Sequence, residues 1–267
     1  LGAGTASADL LFDAVIIDYD TTTTQASATL TINNGGATGD DIGVGKIDID
    51  RIEAVTVNAT EIGAAAADEL TMAEIEGEQA TDIVFTANGE VIISDLDLAL
   101  LDTADFSGAD GGVTITDLSD SAAALTITMG DGNDSVTMTE NNNANSVTID
   151  LGAGNDTFVG TDEVDTVTTG TGTDTVTLQG DAADDLNVIT DFTAGNGGDI
   201  IDLATNFAQM AAIDPTVIFD TNVTIDDTTG ISSKIVIDWS QNPKSKNFKP
   251  AINVLDDLNN ESEDLDS

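Results

Sequence analysis

A single repeat register constrains this chain more than any other feature. Leu125-Thr-Ile-Thr-Met-Gly-Asp-Gly-Asn-Asp-Ser-Val136 and Val147-Thr-Ile-Asp-Leu-Gly-Ala-Gly-Asn-Asp-Thr-Phe158 superimpose at a constant offset of 22 residues. In a third copy, Val167–Val176, Gly170, Gly172 and Asp174 follow Gly152, Gly154 and Asp156 by 18 positions. Halfway between, Asp165 and Val167 keep a nine-residue phase although both glycines are lost. A nine-residue period, two to a full turn, is the signature of a parallel β-roll. Each half-turn is a tight loop followed by a short strand whose apolar residue points inward. The 22-residue offset is then one turn carrying a four-residue insertion, which the polar stretch Thr139–Asn145 can hold.

The rest of the chain has the same style with looser spacing. Ala28–Ile32, Lys46–Asp50, Ala54–Asn58, Asp82–Thr86 and Gly112–Thr116 alternate apolar and polar residues between Gly, Asn or Asp, which is a strand signal. Helical periodicity is confined to Ala64–Met72, Leu96–Asp102 and Asn206–Ile213. The first proline is Pro215, as expected of a body made of paired central strands. The expected fold is all-β: a right-handed parallel β-helix or β-roll solenoid over residues 47–190, with loops at 130–176. Residues 1–46 form an N-terminal β-rich segment. Composition shifts near residue 215, beyond which lie all three prolines and Lys234, Lys244, Lys246 and Lys249. Residues 191–267 are therefore read as a C-terminal capping β unit, with strands at Thr216–Asp220, Val223–Asp227 and Lys234–Trp239. A short helix or acidic tail follows over 251–267. A cap covers the open edge that a solenoid's last turn presents.

Composition excludes several kinds of function. The chain has 50 acidic and 6 basic residues, a formal net charge of −44, and neither Cys nor His. Nucleic acid and anionic membrane surfaces need clusters of Lys and Arg, so both are excluded as partners. Disulfides, Cys/His zinc sites and His-dependent hydrolysis are excluded as well. The longest apolar runs, such as Ile62–Ala67, fall far short of the roughly 20 residues of a membrane span. The chain opens at Leu1 without a signal-peptide pattern, which reads as a segment of something longer. Asp outnumbers Glu by 39 to 11, a bias toward turns rather than solvated helices.

The chemistry sits in Gly-x-Gly-x-Asp-x-apolar, present at Gly130–Val136, Gly152–Phe158 and Gly170–Val176. Gly130, Gly132, Gly152, Gly154, Gly170 and Gly172 permit a left-handed tight turn and free backbone carbonyls. Asp134, Asp156 and Asp174 each add a carboxylate. Stacking two such loops brings carbonyl and carboxylate oxygens around one gap, and about six to eight oxygens are what Ca2+ requires. Three loops in one register imply two or more calcium ions. A paired carboxylate such as Asp40/Asp41 is expected by chance in so acidic a chain, and no catalytic residues are assigned.

These loops resemble the RTX (repeats-in-toxin) proteins, whose nonapeptides read Gly-Gly-x-Gly-x-Asp-x-apolar-x. The specific match covers about residues 118–180. It departs from the family pattern where Met129, Leu151 and Thr169 replace the first of the paired glycines. The segment Val188–Leu203 is similar to the one that closes RTX rolls in secreted proteases and in type I-secreted surface-layer proteins. That resemblance implies calcium ligands at Asp191, Asp199 and Asp202. The Thr-rich stretch 47–129 looks most like bacterial surface-layer (S-layer) proteins.

The expected function is that of a non-enzymatic, calcium-binding structural protein, extracellular and on the cell surface, exported by type I secretion. Without calcium the charges repel one another and the chain stays extended. Outside the cell, calcium fills the loops and its binding free energy becomes folding free energy. The expected partner is the chain itself, in a calcium-bridged lattice or filament, with a cell-surface polysaccharide as a further candidate. The alternatives are an adhesin module, or the RTX part of a secreted polysaccharide-active or proteolytic enzyme. For the latter, Lys46, Arg51 and Tyr19 are the only cationic or phenolic groups before Lys234.

Overall fold

The structure, a computed structural model, describes residues 10–16, 25–33, 41–61, 69–119, 124–138, 146–161, 163–177, 186–193, 197–202, 233–238 and 251–255. These residues contain strands and connecting turns and no helix. Successive strands alternate between two sheets. The first holds β1 (Leu10–Ile16), β3 (Ile42–Asp48), β5 (Glu69–Gly77), β7 (Glu90–Ile93), β8 (Leu96–Leu98), β10 (Val113–Ser119), β12 (Ser135–Met138), β14 (Thr157–Val159), β16 (Thr175–Thr177) and β18 (Ile200–Asp202). The second holds β2 (Gln25–Asn33), β4 (Ile52–Glu61), β6 (Asp82–Ala87), β9 (Thr103–Ala109), β11 (Leu125–Thr128), β13 (Val147–Asp150), β15 (Thr166–Thr168), β17 (Leu186–Phe192), β19 (Ser233–Asp238) and β20 (Ala251–Leu255). Strands pair in parallel with the next one in their own sheet, as in Ile42↔Leu70 and Ala54↔Asp82, except that β7 and β8 lie end to end and each pairs with β5 and β10. The pairing turns antiparallel only where β17 meets β19 and β19 meets β20. The architecture is thus all-β with parallel strands in two sheets, and is compatible with a β-solenoid.

The turns shorten along the chain as far as β16 and lengthen again beyond it, to 22 positions at Thr166↔Val188 and 25 at Thr175↔Ile200. Leu10 pairs with Ile42, 32 positions on, and Ala54 with Asp82, 28 positions on. The step falls to 21 at Glu69↔Glu90 and to 18 at Thr148↔Thr166 and Thr157↔Thr175. The 22-residue step is present in both sheets, at Leu125↔Val147 and Ser135↔Thr157. Thr137 and Thr148 are 11 positions apart, whereas their partners Val159 and Thr166 are 7 apart. The four extra residues therefore lie where the sequence placed them, in a stretch outside the described residues.

One apolar core runs through the stack, from Ile32 to Phe192. Period-2 alternation supplies it, as in β6, where Ile83, Phe85 and Ala87 are buried and Val84 is exposed. The alternation breaks at a shared corner. Ala73 and Glu74 in β5, and Ser94 and Asp95 between β7 and β8, place two consecutive residues outside the core.

That corner corrects two expectations. Helix was expected over Ala64–Met72, but Glu69–Gly77 is β5, and residues 64–68 lie outside the described set. Helix was also expected over Leu96–Asp102, where β8 is followed by a turn. With two outward residues at the bend, the buried positions Leu70, Met72 and Ile75 are spaced two and then three apart. That spacing imitates a helical stripe. A third correction is Ala251–Leu255, expected in a helix or tail, which is β20 against Ser233–Asp238. Asn206–Ile213, Thr216–Asp220 and Val223–Asp227 lie outside the described residues.

Candidate metal site

The three Gly-x-Gly-x-Asp loops stack directly on one another at the entrance to the first sheet. Asp131, Ala153 and Thr171 form parallel bridges in sequence. Gly132 N–H donates to the Ala153 carbonyl at 2.8 Å, and Gly154 N–H to the Thr171 carbonyl at 2.8 Å. The glycines are required by this stacking. A Cβ at Gly154 would stand 1.5 Å from the Gly132 carbonyl oxygen and 2.9 Å from Asp156 Oδ1, and its φ of +148° is one that L side chains rarely adopt. A Cβ at Gly172 would likewise stand 1.5 Å from the Gly154 carbonyl oxygen. Those carbonyls point along the stack, each into the cleft beside the next loop's glycine. Met129, Leu151 and Thr169, which directly precede the first glycine of each loop, are buried.

The aspartates form a column. Since Ser135, Thr157, Thr175 and Ile200 are register partners, the residues before them, Asp134, Asp156, Asp174 and Asp199, occupy equivalent places. Each carboxylate reaches back to the turn before it. Val113 N–H donates to Asp134 Oδ1 at 2.7 Å, Asp134 N–H to Asp156 Oδ1 at 2.7 Å, and Asp156 N–H to Asp174 Oδ1 at 2.8 Å. The other oxygen of each, Oδ2 of Asp134, Asp156 and Asp174, is buried with no hydrogen-bond partner. Desolvation pushes the Asp134 and Asp156 carboxyls up to about 6 despite the amide bonds they accept. Asp174 is pushed up to about 7, first by desolvation and then by the neighbouring charge of Asp199. A buried ion without compensation is costly, so each of the three stacked carboxyls is relieved either by a proton or by a cation beside it.

The last turn is different. Asp199 Oδ1 accepts from Asp174 N–H at 3.1 Å, and its Oδ2 accepts from Thr193 N–H at 2.7 Å and the Thr169 hydroxyl at 3.1 Å. Asp191 grips the third loop through Thr169 N–H and Gly170 N–H at 2.7 and 2.9 Å. Both carboxylates are satisfied by protein donors. Asp202 stands apart from this column, as the register partner of Thr177.

Two further features escaped the sequence reading. The column continues upstream as Val113 and Val91, in the loops Asn88–Val91 and Asp110–Val113. Gly111 still packs against Gly89 there, whose carbonyl oxygen would be 2.4 Å from an added Cβ. With Val in place of Asp at the column position, these loops carry no motif. On the opposite corner, Asp165 is fully buried and accepts from Thr161 N–H at 2.8 Å and the Thr161 hydroxyl at 2.9 Å. Its own N–H donates to Asn187 Oδ1 at 2.7 Å. Thr161 therefore does internally what the glycine loops leave undone.

The donor set fits a hard cation. It contains only oxygen, from carboxylates and glycine carbonyls, since the chain has no His or Cys. No three acidic side chains converge on one point among the described residues, so backbone carbonyls must supply most of any coordination shell. No protein-family model matches the chain, and no curated protein or solved structure is similar to it.

Proposed function

We propose that this is a calcium-binding extracellular structural protein of RTX type, in which a right-handed β-roll is completed by ions held in the Gly-x-Gly-x-Asp loops. The observation that carries the reading is the column of buried, partnerless Oδ2 atoms at Asp134, Asp156 and Asp174. These oxygens, with glycine carbonyls of the neighbouring turns, are the ligands; the ion supplies positive charge to a desolvated row of carboxylates. Calcium suits an irregular oxygen cage better than magnesium, which holds to a strict octahedron and keeps its waters. Because the cage exists only when successive turns are stacked, binding and folding are one process.

The wider role is assembly on a cell surface, as an S-layer or surface-filament subunit. The support is the net charge of −44, of which the loop aspartates account for only a small part. The remaining carboxylates repel other copies until divalent cations screen or bridge them. A calcium titration, read by circular dichroism in calcium and in EGTA and followed by electron microscopy of the same sample, tests both statements. Gain of β-structure with calcium, then ordered sheets or filaments at millimolar ion, is the expected result. β-Structure indifferent to EGTA overturns the metal reading, and a strictly monomeric product at high concentration overturns the assembly reading.

A further inference from the structure

The polar groups of the interior are distributed very unevenly. Among the described residues, every buried polar or charged side chain, namely Asp134, Thr161, Asp165, Asp174 and their like, lies at or beyond position 134. Upstream the interior is apolar throughout, with Phe85 and Phe106 stacked at 5.7 Å between ring centroids. Among the described residues, the one buried upstream carboxylate oxygen without a hydrogen-bond partner belongs to Asp95, a half-buried residue on the outward corner of the first sheet.

The loop column shows the same change at a single step. Val91 and Val113 are buried at the place where Asp134, Asp156 and Asp174 follow. The Val91 N–H is satisfied by the Gly112 carbonyl at 2.9 Å, whereas the equivalent amides downstream depend on carboxylates. The Val91 loop is therefore closed by backbone alone, the Val113 amide is the first to be held by a carboxylate, that of Asp134, and neither upstream loop places a buried charge in the column. Upstream strands reach ten residues in β4 and nine in β5, and the short β7 and β8 together span one β5, against three residues each in β14, β15 and β16. Each upstream turn therefore buries more apolar surface.

We propose that residues 42–119 fold without calcium and present β10 as the edge on which residues 125–202 assemble when the ion arrives. Calcium concentration then sets how far the stack extends and does not switch the whole chain. The inference rests on the calcium reading of the loops, and it adds a boundary, between Val113 and Asp134, that no motif marks.

Hydrogen–deuterium exchange of the full chain, resolved by peptide mass spectrometry in EGTA and in millimolar calcium, tests it. Amides of β4 to β10 should exchange equally slowly in both. Those of β12 to β16 should slow by about a hundredfold in calcium, the factor expected when the ion stands at about 100 times its Kd. Loss of upstream protection in EGTA overturns the boundary and leaves the calcium reading intact. Exchange in β12 to β16 that ignores calcium overturns the calcium reading, and the boundary with it. The triple variant Asp134→Asn, Asp156→Asn, Asp174→Asn provides a second test. It should lose the downstream response to calcium while its upstream amides stay as slow as in the unaltered chain. Upstream amides that become fast-exchanging in it refute the proposed independence.

Discussion

Val113 and Asp134 stand one turn apart in the same column, each buried to 2% exposure or less. The Val113 side chain belongs to the apolar core. Asp134 occupies the equivalent place with one oxygen bonded to Val113 N–H and the other bonded to nothing. The same backbone path is thus closed in two ways. Upstream, wide turns and long strands stabilise the stack by burying apolar surface, at about 25 cal/mol per Å². Downstream, strands of three or four residues contribute fewer buried side chains per turn, and the loops place carboxyls where, on the calcium reading, a cation would hold adjacent turns together. On the calcium reading proposed above, a short turn exchanges hydrophobic stabilisation for dependence on an external ion.

The largest effect that would test this contrast belongs to the glycine stack. Gly154→Val would drive side-chain atoms into the Gly132 carbonyl, 1.5 Å from the Cβ position. We expect β12 to β16 not to form at any calcium concentration, while β4 to β10 keep their protection. A variant whose calcium response is preserved would show that the loops do not stack as described.

Acidity should act next most strongly, and only downstream. The Asp134, Asp156 and Asp174 carboxyls are raised in the folded chain from 3.8 to about 6, 6 and 7. The folded state therefore holds protons that the unfolded state releases. In EGTA this contribution is fully present below about pH 4 and is lost as pH rises through 6 and 7. Thermal unfolding in EGTA should show the downstream transition weakening over that interval, and millimolar calcium at pH 8 should restore it. Downstream stability that rises with pH in EGTA would contradict the buried, partnerless carboxylates.

Phe106→Ala reverses the geography. Phe106 is fully buried against Phe85, and its truncation should cost about 3–5 kcal/mol. The loss should be the same in calcium and in EGTA, as measured by chemical denaturation of the upstream transition. If calcium rescued it, the two halves would share one cooperative unit, and the contrast between them would dissolve.

What could be read from the sequence follows the same divide. The downstream turns announced themselves, because Gly154 and Asp156 have counterparts at 22 and 18 positions that no other residue type could replace. The upstream turns stack by the same register, but any apolar residue serves at Val91 or Val113. Burial alone leaves no signature there, and loops 88–91 and 110–113 went unrecognised. Strand β5 was misread for a geometrical reason. The outward pair Ala73 and Glu74 shifts the alternation by one, after which a bent strand and an amphipathic helix have similar spacing. Thr161 as the partner of Asp165 was equally hidden, since a four-residue contact across a loop has no periodic sign.

Asp156→Asn should have a modest effect whose direction depends on the ion. Asparagine keeps an oxygen for the Asp134 N–H, now 2.7 Å from Oδ1, and removes the desolvated charge. In calcium the variant should lose about 1–3 kcal/mol, the usual range for a buried polar group deprived of its partner. In EGTA at pH 8 it should be neutral or stabilised, because no uncompensated carboxylate remains to be buried. Destabilisation of equal size in both conditions would mean that Asp156 serves only as a hydrogen-bond acceptor, as Asp165 does on the opposite corner.

The smallest effect separates two reasons for glycine that coincide at Gly154. Gly197 also has a positive φ, +85°, but nothing lies within 4 Å of an added Cβ. Gly197→Ala therefore tests conformation alone and should cost about 1–2 kcal/mol, the penalty for a left-handed L residue. Gly154→Ala adds the collision with the Gly132 carbonyl and should cost distinctly more. Denaturation midpoints of the two alanine variants, compared in calcium, give the difference directly. Equal costs would mean that the loops need glycine only for its backbone freedom. The close approach of successive turns, on which the oxygen-lined clefts depend, would then be looser than described.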